Sequence, residues 1–453
     1  MIPLTLADIA RVTGGTVSGD PAIVVDAPAT LDSRAVEDGG LFVAIAGEHV
    51  DGHDFAPRAV ESGAAAVLAS RDTGVPGVIV PDVTHALGLL ARHVLDEHED
   101  VQVVALTGSS GKTSVKDLIA HVLAPDGATI ATRGNHNNEL GVPLTVLAID
   151  ELTRFLVVEM GARAVGDIAL LCAIAPPDIG IVLNVGLAHV GEFGSADRIA
   201  VAKGELAEAI GPDGVVILNA DDPRVAAMAS RTEASVATFG TTGDVRVGDV
   251  RVDAAGSPHF TLTDHGRTVE AHVPLIGRYH ALNGAAAAAA ALALGIDLST
   301  IAARLATADA AVSPMRMERH VRADGLVVVN DAYNANPESM EAALRAVAGI
   351  SGGRGVAVLG AMLELGDQGD AEHRRIGRLA AELGFSRVVV VGEQARAIAD
   401  GAGDLAEVVQ DVDVASRTLP ASLSGHEVVL VKASRGIRLE RVVDALLEGS
   451  TTR

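Results

Sequence analysis

The stretch Val103-Val-Ala-Leu-Thr-Gly-Ser-Ser-Gly-Lys-Thr-Ser114 decides how this chain is read. An apolar run feeds a glycine loop, and the amphipathic run Val115 to Leu123 follows as a helix. Backbone N–H groups of such a loop can ring a phosphate at a helix N-terminus. The cradle is then Thr107, Gly108, Ser109, Ser110, Gly111, Lys112, Thr113 and Ser114. Lys112 would contact the β- and γ-phosphates, and the Thr113 hydroxyl would ligate Mg²⁺. The general pattern asks for another glycine five positions before Gly111, where this chain has Leu106. The loop is therefore the shorter form Thr-Gly-x-x-Gly-Lys-Thr-Ser. A glycine turn that only caps a helix is the plainer alternative, and the apolar strand in front of the loop argues against it.

Working outward, strand-like runs recur at Phe155 to Glu159, Ile179 to Asn184 and Val215 to Asn219. Buried apolar strands alternating with helices imply a parallel sheet covered on both faces. Residues 1 to 98 alternate short apolar runs with helical patterns and read as a small α/β domain, closed by the acidic stretch Asp96 to Asp100. Residues 99 to 312 form the central domain, in which Val245 to Val273 looks like antiparallel hairpins. Around Ala311 to Pro314 the chain turns, and residues 313 to 453 carry a third α/β series with strands at Leu326 to Val329, Gly355 to Leu359, Arg387 to Val391 and Glu427 to Val431. The fold class is α/β in three domains.

The bulk numbers agree with a globular protein. A chain of 453 residues exceeds one hydrophobic core, and 49% of it is apolar. The formal charge of −24 repels nucleic acid and anionic lipid. The single cysteine, Cys172, fits a reducing compartment. The N-terminal residues lack the basic region of a signal peptide, and no apolar run has the length of a membrane span. A cytoplasmic location is expected. Lysine occurs only at Lys112, Lys116, Lys203 and Lys432, while arginine supplies the other basic residues. Only an amine can lose its proton and react, so these four positions stand out.

Several clusters add chemistry at predicted sheet edges. Glu159 closes an apolar strand beside the phosphate loop, where a Mg²⁺ ligand belongs. Asn184-Val-Gly-Leu-Ala-His189 closes the next strand and offers an imidazole. The amide-rich turn Gly134 to Gly141, with Asn137 and Asn138, can reach phosphate, metal or substrate, or simply satisfy its own backbone. Lys203 lies in an apolar helical stretch; it is either a surface lysine beside Glu205 or a neutral amine able to take up CO₂ as a carbamate. Arg316 could clamp a phosphate from the third domain or lie exposed in the linker. The loop Asn330 to Met340 gathers Asp331, Tyr333, Asn334 and Asn336 ahead of Pro337, with helix capping as the plainer reading. Tyr279, His280 and Asn283 form another polar group.

In this order the segments resemble the Mur ligases of peptidoglycan synthesis over essentially the whole chain. Asp331-Ala-Tyr-Asn-Ala-Asn-Pro-Glu-Ser-Met340 and Gly360-Ala-Met-Leu-Glu-Leu-Gly366 are similar to the members that add D-alanyl-D-alanine. Asp32-Ser-Arg34, Leu41 to Glu48 and Asp51-Gly-His53 resemble the family's UDP-sugar domain, with Ser33 and Arg34 near the uridine diphosphate. The resemblance implies a UDP-muramoyl-peptide-binding domain, a central P-loop parallel-sheet ATPase domain and a C-terminal Rossmann-like domain. It implies ATP-dependent joining of UDP-N-acetylmuramoyl tripeptide to D-alanyl-D-alanine through an acyl phosphate. It also implies two Mg²⁺ ions: Thr113 and Glu159 at the first, His189 and carbamylated Lys203 at the second. Asn283, Arg316 and Asp331 would contact the nucleotide, and Asn137, Asn138, Tyr333, Asn334 and Asn336 the substrates. The protein would be a monomer without nucleic-acid or membrane partners. The third residue of the tripeptide stays open between lysine and diaminopimelate. The chain departs from the family at Tyr279-His280, Gly360-Ala361 and Lys432-Ala-Ser434. A sister ligase or a folylpolyglutamate synthase shares the three-domain plan, and the loop Asp331 to Met340 argues against both. A GTP switch would need Asn-Lys-x-Asp, and none of the four lysines follows an asparagine. A binding scaffold without turnover would not need Lys112, Glu159, His189 and Lys203 together.

Overall fold

The computed structural model describes residues 1–47, 50–186, 193–309 and 312–448. Glu48, His189 and Ala311, named above, lie outside the described residues.

Runs of Val, Ile and Leu without polar alternation pair stably only where both faces of a sheet are covered. The central strands obey this. In Gln102–Thr107, Val103 and Ala105 enter one core while Val104 and Leu106 enter the other. Nine strands line up in the order Arg267–His272, Pro258–Asp264, Val245–Val252, Ser235–Gly240, Val215–Asn219, Ile179–Val182, Gln102–Thr107, Thr153–Glu159, Ala128–Ala131. Pairing is parallel from Val245–Val252 through Ala128–Ala131, and the two outer pairings at the other end are antiparallel. The hairpin pattern of Val245 to Val273 therefore extends the central sheet rather than forming a separate layer.

The chain leaves Gln102–Thr107 for the far edge, returns beside it as Thr153–Glu159, and crosses to its other flank as Ile179–Val182. This reversal opens a crevice at the carboxyl ends of the three strands, the usual ligand position in such sheets. One face is covered by helices Lys112–Leu123 and His280–Ala293. Ala285 to Ala291 are all buried, and their small side chains let that helix approach closely.

The N-terminal segment forms a five-stranded sheet, ordered Thr16–Ser18, Gly77–Ile79, Ala66–Ala69, Leu41–Val43, Ala29–Thr30. Helix Val83–Asp96 packs on helix Gly141–Val146, so one apolar cluster runs from Leu87 and Leu90 to Val142 and Val146. The C-terminal segment forms a six-stranded sheet, ordered Glu318–Val321, Val327–Asp331, Val428–Lys432, Gly355–Leu359, Arg387–Val391, Ala406–Val409. All its pairings are parallel except the first. Asp331, Lys432 and Leu359 lie in register at its carboxyl edge.

Candidate active site

Gly108 and Gly111 shape the phosphate loop. A Cβ on Gly108 would stand 2.9 Å from the Leu183 Cβ, and Gly111 has φ of 80°, a left-handed conformation that favours glycine. Asn184 sets the rest. Its Oδ1 accepts the N–H of Ser109 and of Ser110, both at 2.9 Å, and its amide donates back to the Ser110 carbonyl at 3.1 Å. The N–H groups of Lys112, Thr113 and Ser114 open the helix and have no acceptor within it, which suits a phosphate. The Lys112 ammonium folds back over the loop and donates to the Gly108 carbonyl at 2.7 Å.

Beside the loop, Glu159 ends its strand fully buried. Its Oε2 accepts from the Thr113 hydroxyl at 2.9 Å and its Oε1 from the Asn137 amide at 2.7 Å. The Thr132 hydroxyl accepts the Glu159 N–H at 3.0 Å. Two hard oxygen donors thus meet at the mouth of a phosphate loop, the donor set that fits Mg²⁺. Lys203 is buried on helix Ala196–Ala209. Burial holds its ammonium well below the usual lysine range; Lys112 lowers it further and Glu159 opposes. Burial likewise lowers Lys112, with Glu159 opposing and Arg316 adding to the effect. The structure therefore brings Lys112, Glu159 and Lys203 into one electrostatic group. A neutral buried amine is the form that reacts with CO₂.

The C-terminal segment reaches across to this group. Arg316 donates to the Thr113 hydroxyl at 2.9 Å and lays its guanidinium 4.2 Å from the centre of the Tyr333 ring. Met315 and Met317, on either side, have φ of 55° and 52°, a costly conformation for long side chains. Hydrogen bonds hold it: Met315 N–H donates to Glu318 Oε2 at 3.0 Å, and Met317 N–H to Asp331 Oδ1 at 3.2 Å. Asp331 also pairs with the buried Lys432 at 2.7 Å, and Lys432 donates to the Asn334 carbonyl at 2.7 Å. Two buried polar atoms at expected nucleotide contacts, Thr107 Oγ1 and Arg316 Nε, have no hydrogen-bond partner among the described residues.

Asn283 approaches the loop, 3.2 Å from where a Gly111 Cβ would stand. It contacts His280 Nδ1 at 3.3 Å, and burial pushes that imidazole down to about 3, which keeps it neutral. Ser33 and Arg34 line a cavity of about 1160 Å³ between the N-terminal and central segments. Arg133 and His136 line it too, from the same turn that sends Asn137 to Glu159. Arg34 is exposed and forms a two-pronged pair with Asp32, at 2.9 and 2.8 Å.

Not every expected residue faces this centre. Asn138 Oδ1 accepts the Gly141 N–H at 3.0 Å and so shapes its own turn. Asn336 caps helix Pro337–Ser351, its Oδ1 accepting the Ser339 N–H at 2.8 Å. The roles of Asn184 and Thr132 were not read from the sequence, and Lys432 stood out there only as one of four lysines. The chain holds only nine asparagines, and that scarcity was a usable signal for Asn184; Thr132 carried none.

Similarity to known proteins extends over all three segments of the chain. The pattern described as "Mur ligase middle domain" matches residues 106–291, "Mur ligase, glutamate ligase domain" residues 315–435, and "Mur ligase family, catalytic domain" residues 29–94. A UDP-N-acetylmuramoyl-tripeptide–D-alanyl-D-alanine ligase of Mycobacterium tuberculosis is 44% identical over 100% of this chain and 99% of its own length. The protein of that name from Escherichia coli is 37% identical, with both chains covered completely. Among solved structures, MurF from Acinetobacter baumannii superposes with a TM-score of 0.88 at 32% identity, covering 98% of this chain and 99% of that one. The MurF ligase from Thermotoga maritima, solved in complex with ADP, gives 0.80 at 30% identity, over 94% and 98%.

Proposed function

The chain belongs to the Mur ligase family, and we propose that it joins D-alanyl-D-alanine to UDP-N-acetylmuramoyl tripeptide at the expense of ATP, a step of peptidoglycan precursor synthesis. The observation that carries this reading is the Thr113–Glu159 hydrogen bond at the mouth of the phosphate loop, with Lys112 and Lys203 in electrostatic reach. The peptide's terminal carboxylate oxygen attacks the γ-phosphorus of ATP, and ADP leaves. The amine of D-alanyl-D-alanine then attacks the acyl carbon, losing a proton as phosphate departs with its bonding electrons.

Carboxylate and triphosphate are both anions and repel each other. Two Mg²⁺ ions, when bound, would neutralise that repulsion. Thr113 and Glu159 would hold one; His189 and Lys203, as its carbamate, the other. Carbamate formation consumes CO₂ and the neutral amine and releases one proton. Lys112 holds the β- and γ-phosphates, and Arg316 brings a fixed cation to the same place. Arg316, Asn283 and Asp331 would serve the nucleotide. Ser33 and Arg34 would lie at the UDP end of the cavity, and Asn137, Tyr333 and Asn334 nearer the peptide and the incoming amine, while Asn138 and Asn336 would act through the turn and the helix cap they hold. Closure of residues 313–453 over residues 99–312 excludes water, which would hydrolyse the acyl phosphate. Residues 1–98 would bind the UDP-muramoyl peptide.

The substrates are small molecules. Among the described residues no helix is long and apolar enough to cross a membrane. A monomer working in the cytoplasm is the form this reading assigns. The test is phosphate release from ATP with UDP-N-acetylmuramoyl tripeptide and individual amines. Turnover with D-alanyl-D-alanine and none with single amino acids is expected; the opposite preference would assign the chain to a sister ligase.

A further inference from the structure

At the far end of the central sheet, the antiparallel hairpin carries a polar group that ligation does not use. His259 and His272 are direct cross-strand partners, so their side chains share one face. Their rings stack with centroids 4.1 Å apart and planes 10° from parallel. Asp253 begins the turn that precedes His259. Its Oδ1 accepts the N–H groups of Ala255 and Ser257, each at 2.9 Å, which leaves Oδ2 facing His259 Nε2 at 3.3 Å. One ligand atom from each of the three residues lies within 4.8 Å of the others.

The geometry points to a binding site for a borderline divalent transition metal, with Zn²⁺ as its best fit, formed by Asp253, His259 and His272. Ligands at Zn²⁺ bonding distance stand roughly 3.3 Å apart in a tetrahedron, and the Asp253–His259 pair already has that separation. The His272 ligand nitrogen lies within 4.8 Å of the other two, so the set closes only if that ring turns towards them, out of its stack on His259. His272 Nε2 is buried and has no hydrogen-bond partner among the described residues, so a ligand there would satisfy it. The turn holds Asp253 from behind, as outer hydrogen bonds orient a ligating carboxylate. A cavity of about 370 Å³ beside the two histidines, walled by Ser299 and Ala302, leaves room for a fourth ligand such as water. Two imidazoles and one carboxylate select Zn²⁺ over Mg²⁺, which prefers oxygen alone.

The site is separate from the phosphate loop. Six strand spacings lie between Arg267–His272 and Gln102–Thr107, roughly 29 Å at the usual spacing. Bound metal would tie the edge strand Arg267–His272 to its neighbour and to the turn at Asp253, which limits fraying of the sheet edge. The inference does not depend on which reaction the chain catalyses.

The test uses the full chain, stripped with EDTA and returned to excess Mg²⁺, titrated calorimetrically with Zn²⁺ and followed with Co²⁺ by its tetrahedral absorption bands. The wild type should bind one equivalent that His259→Gln lacks, with unchanged circular dichroism and ligase turnover. Asp253→Asn should bind at least about tenfold more weakly. Equal stoichiometry and affinity in wild type and His259→Gln would overturn the site, since any metal would then be held elsewhere. A wild type that takes up no Zn²⁺ under these conditions would overturn it as well.

Discussion

Arg316 reaches Thr113 across 203 positions of the chain and donates to its hydroxyl at 2.9 Å, the same hydroxyl that donates to Glu159. One side chain of the C-terminal segment thus touches the phosphate loop directly. The left-handed residues on both sides of Arg316 aim it there.

Arg316→Ala should lower kcat/KM for ATP by about 10²- to 10³-fold, the usual cost of removing one preorganised donor. Arg316→Lys should recover only part of this, because an ammonium lacks the planar fork that lies over Tyr333. Steady-state phosphate release across ATP concentrations checks both. Equal activity of Arg316→Lys and wild type would mean that charge alone matters.

Lys203→Arg keeps a long basic side chain but cannot form a carbamate. Ligation should fall by about 10²-fold or more, as when an electrostatic stabiliser is lost. Lys203→Ala should be inactive and partly rescued by a short carboxylic acid such as propionate, which supplies the missing oxygens. Full activity of Lys203→Arg would remove the carbamate from the mechanism.

His280 makes the fold sensitive to acid. Its imidazole is pushed from 6.5 down to about 3 by burial, so the folded protein keeps it neutral while the unfolded chain takes up a proton below 6.5. This contribution to stability is complete above that pH and is lost as pH falls towards about 3. His280→Asn keeps an acceptor for Asn283 and removes the titration. Denaturant unfolding should show the variant gaining on the wild type by up to about 1.4 kcal/mol per pH unit below 6.5. Parallel pH profiles would exclude a neutral buried His280.

Lys432 and Asp331 form a buried pair at 2.7 Å. Lys432→Met leaves a buried carboxylate without its partner and should cost about 3–5 kcal/mol, whereas Lys432→Met with Asp331→Asn should recover much of that. Chemical denaturation of the single and double variants measures the coupling. Additive losses would show that the two groups act independently.

Asn336 separates a structural role from a binding role. If it acts through its helix cap, Asn336→Ala should cost about 1 kcal/mol of stability, and Asn336→Ser should restore it with KM for D-alanyl-D-alanine unchanged throughout. A raised KM in the stable Asn336→Ser variant would instead place the amide on the substrate.

Much of the fold was legible because its signals are local. An apolar strand, a glycine loop and an amphipathic helix are contiguous at Val103 to Leu123, and each parallel strand is a short apolar run. Edge strands such as Ala128–Ala131 and Ala406–Val409 were harder to read, since they are short and only partly buried. Alternation in Val245 to Val273 revealed hairpins, but strand period carries no information about the neighbouring strand. Only the fold shows Val245–Val252 pairing parallel with Ser235–Gly240.

By itself the sequence determined the chemistry available: a phosphate loop, Glu159 at a strand end, four lysines in a chain that otherwise uses arginine, and the amide-rich loops. The tertiary structure decided which of these act on one another. It joined Thr113 to Glu159 and Arg316, gave Asn184 to the loop, committed Asn336 to a helix cap, and coupled Lys203 to Lys112 and Glu159. The reason is range. Propensity and periodicity act over a few neighbours, whereas a shifted lysine or a shared hydroxyl depends on burial and on partners brought together from distant parts of the chain.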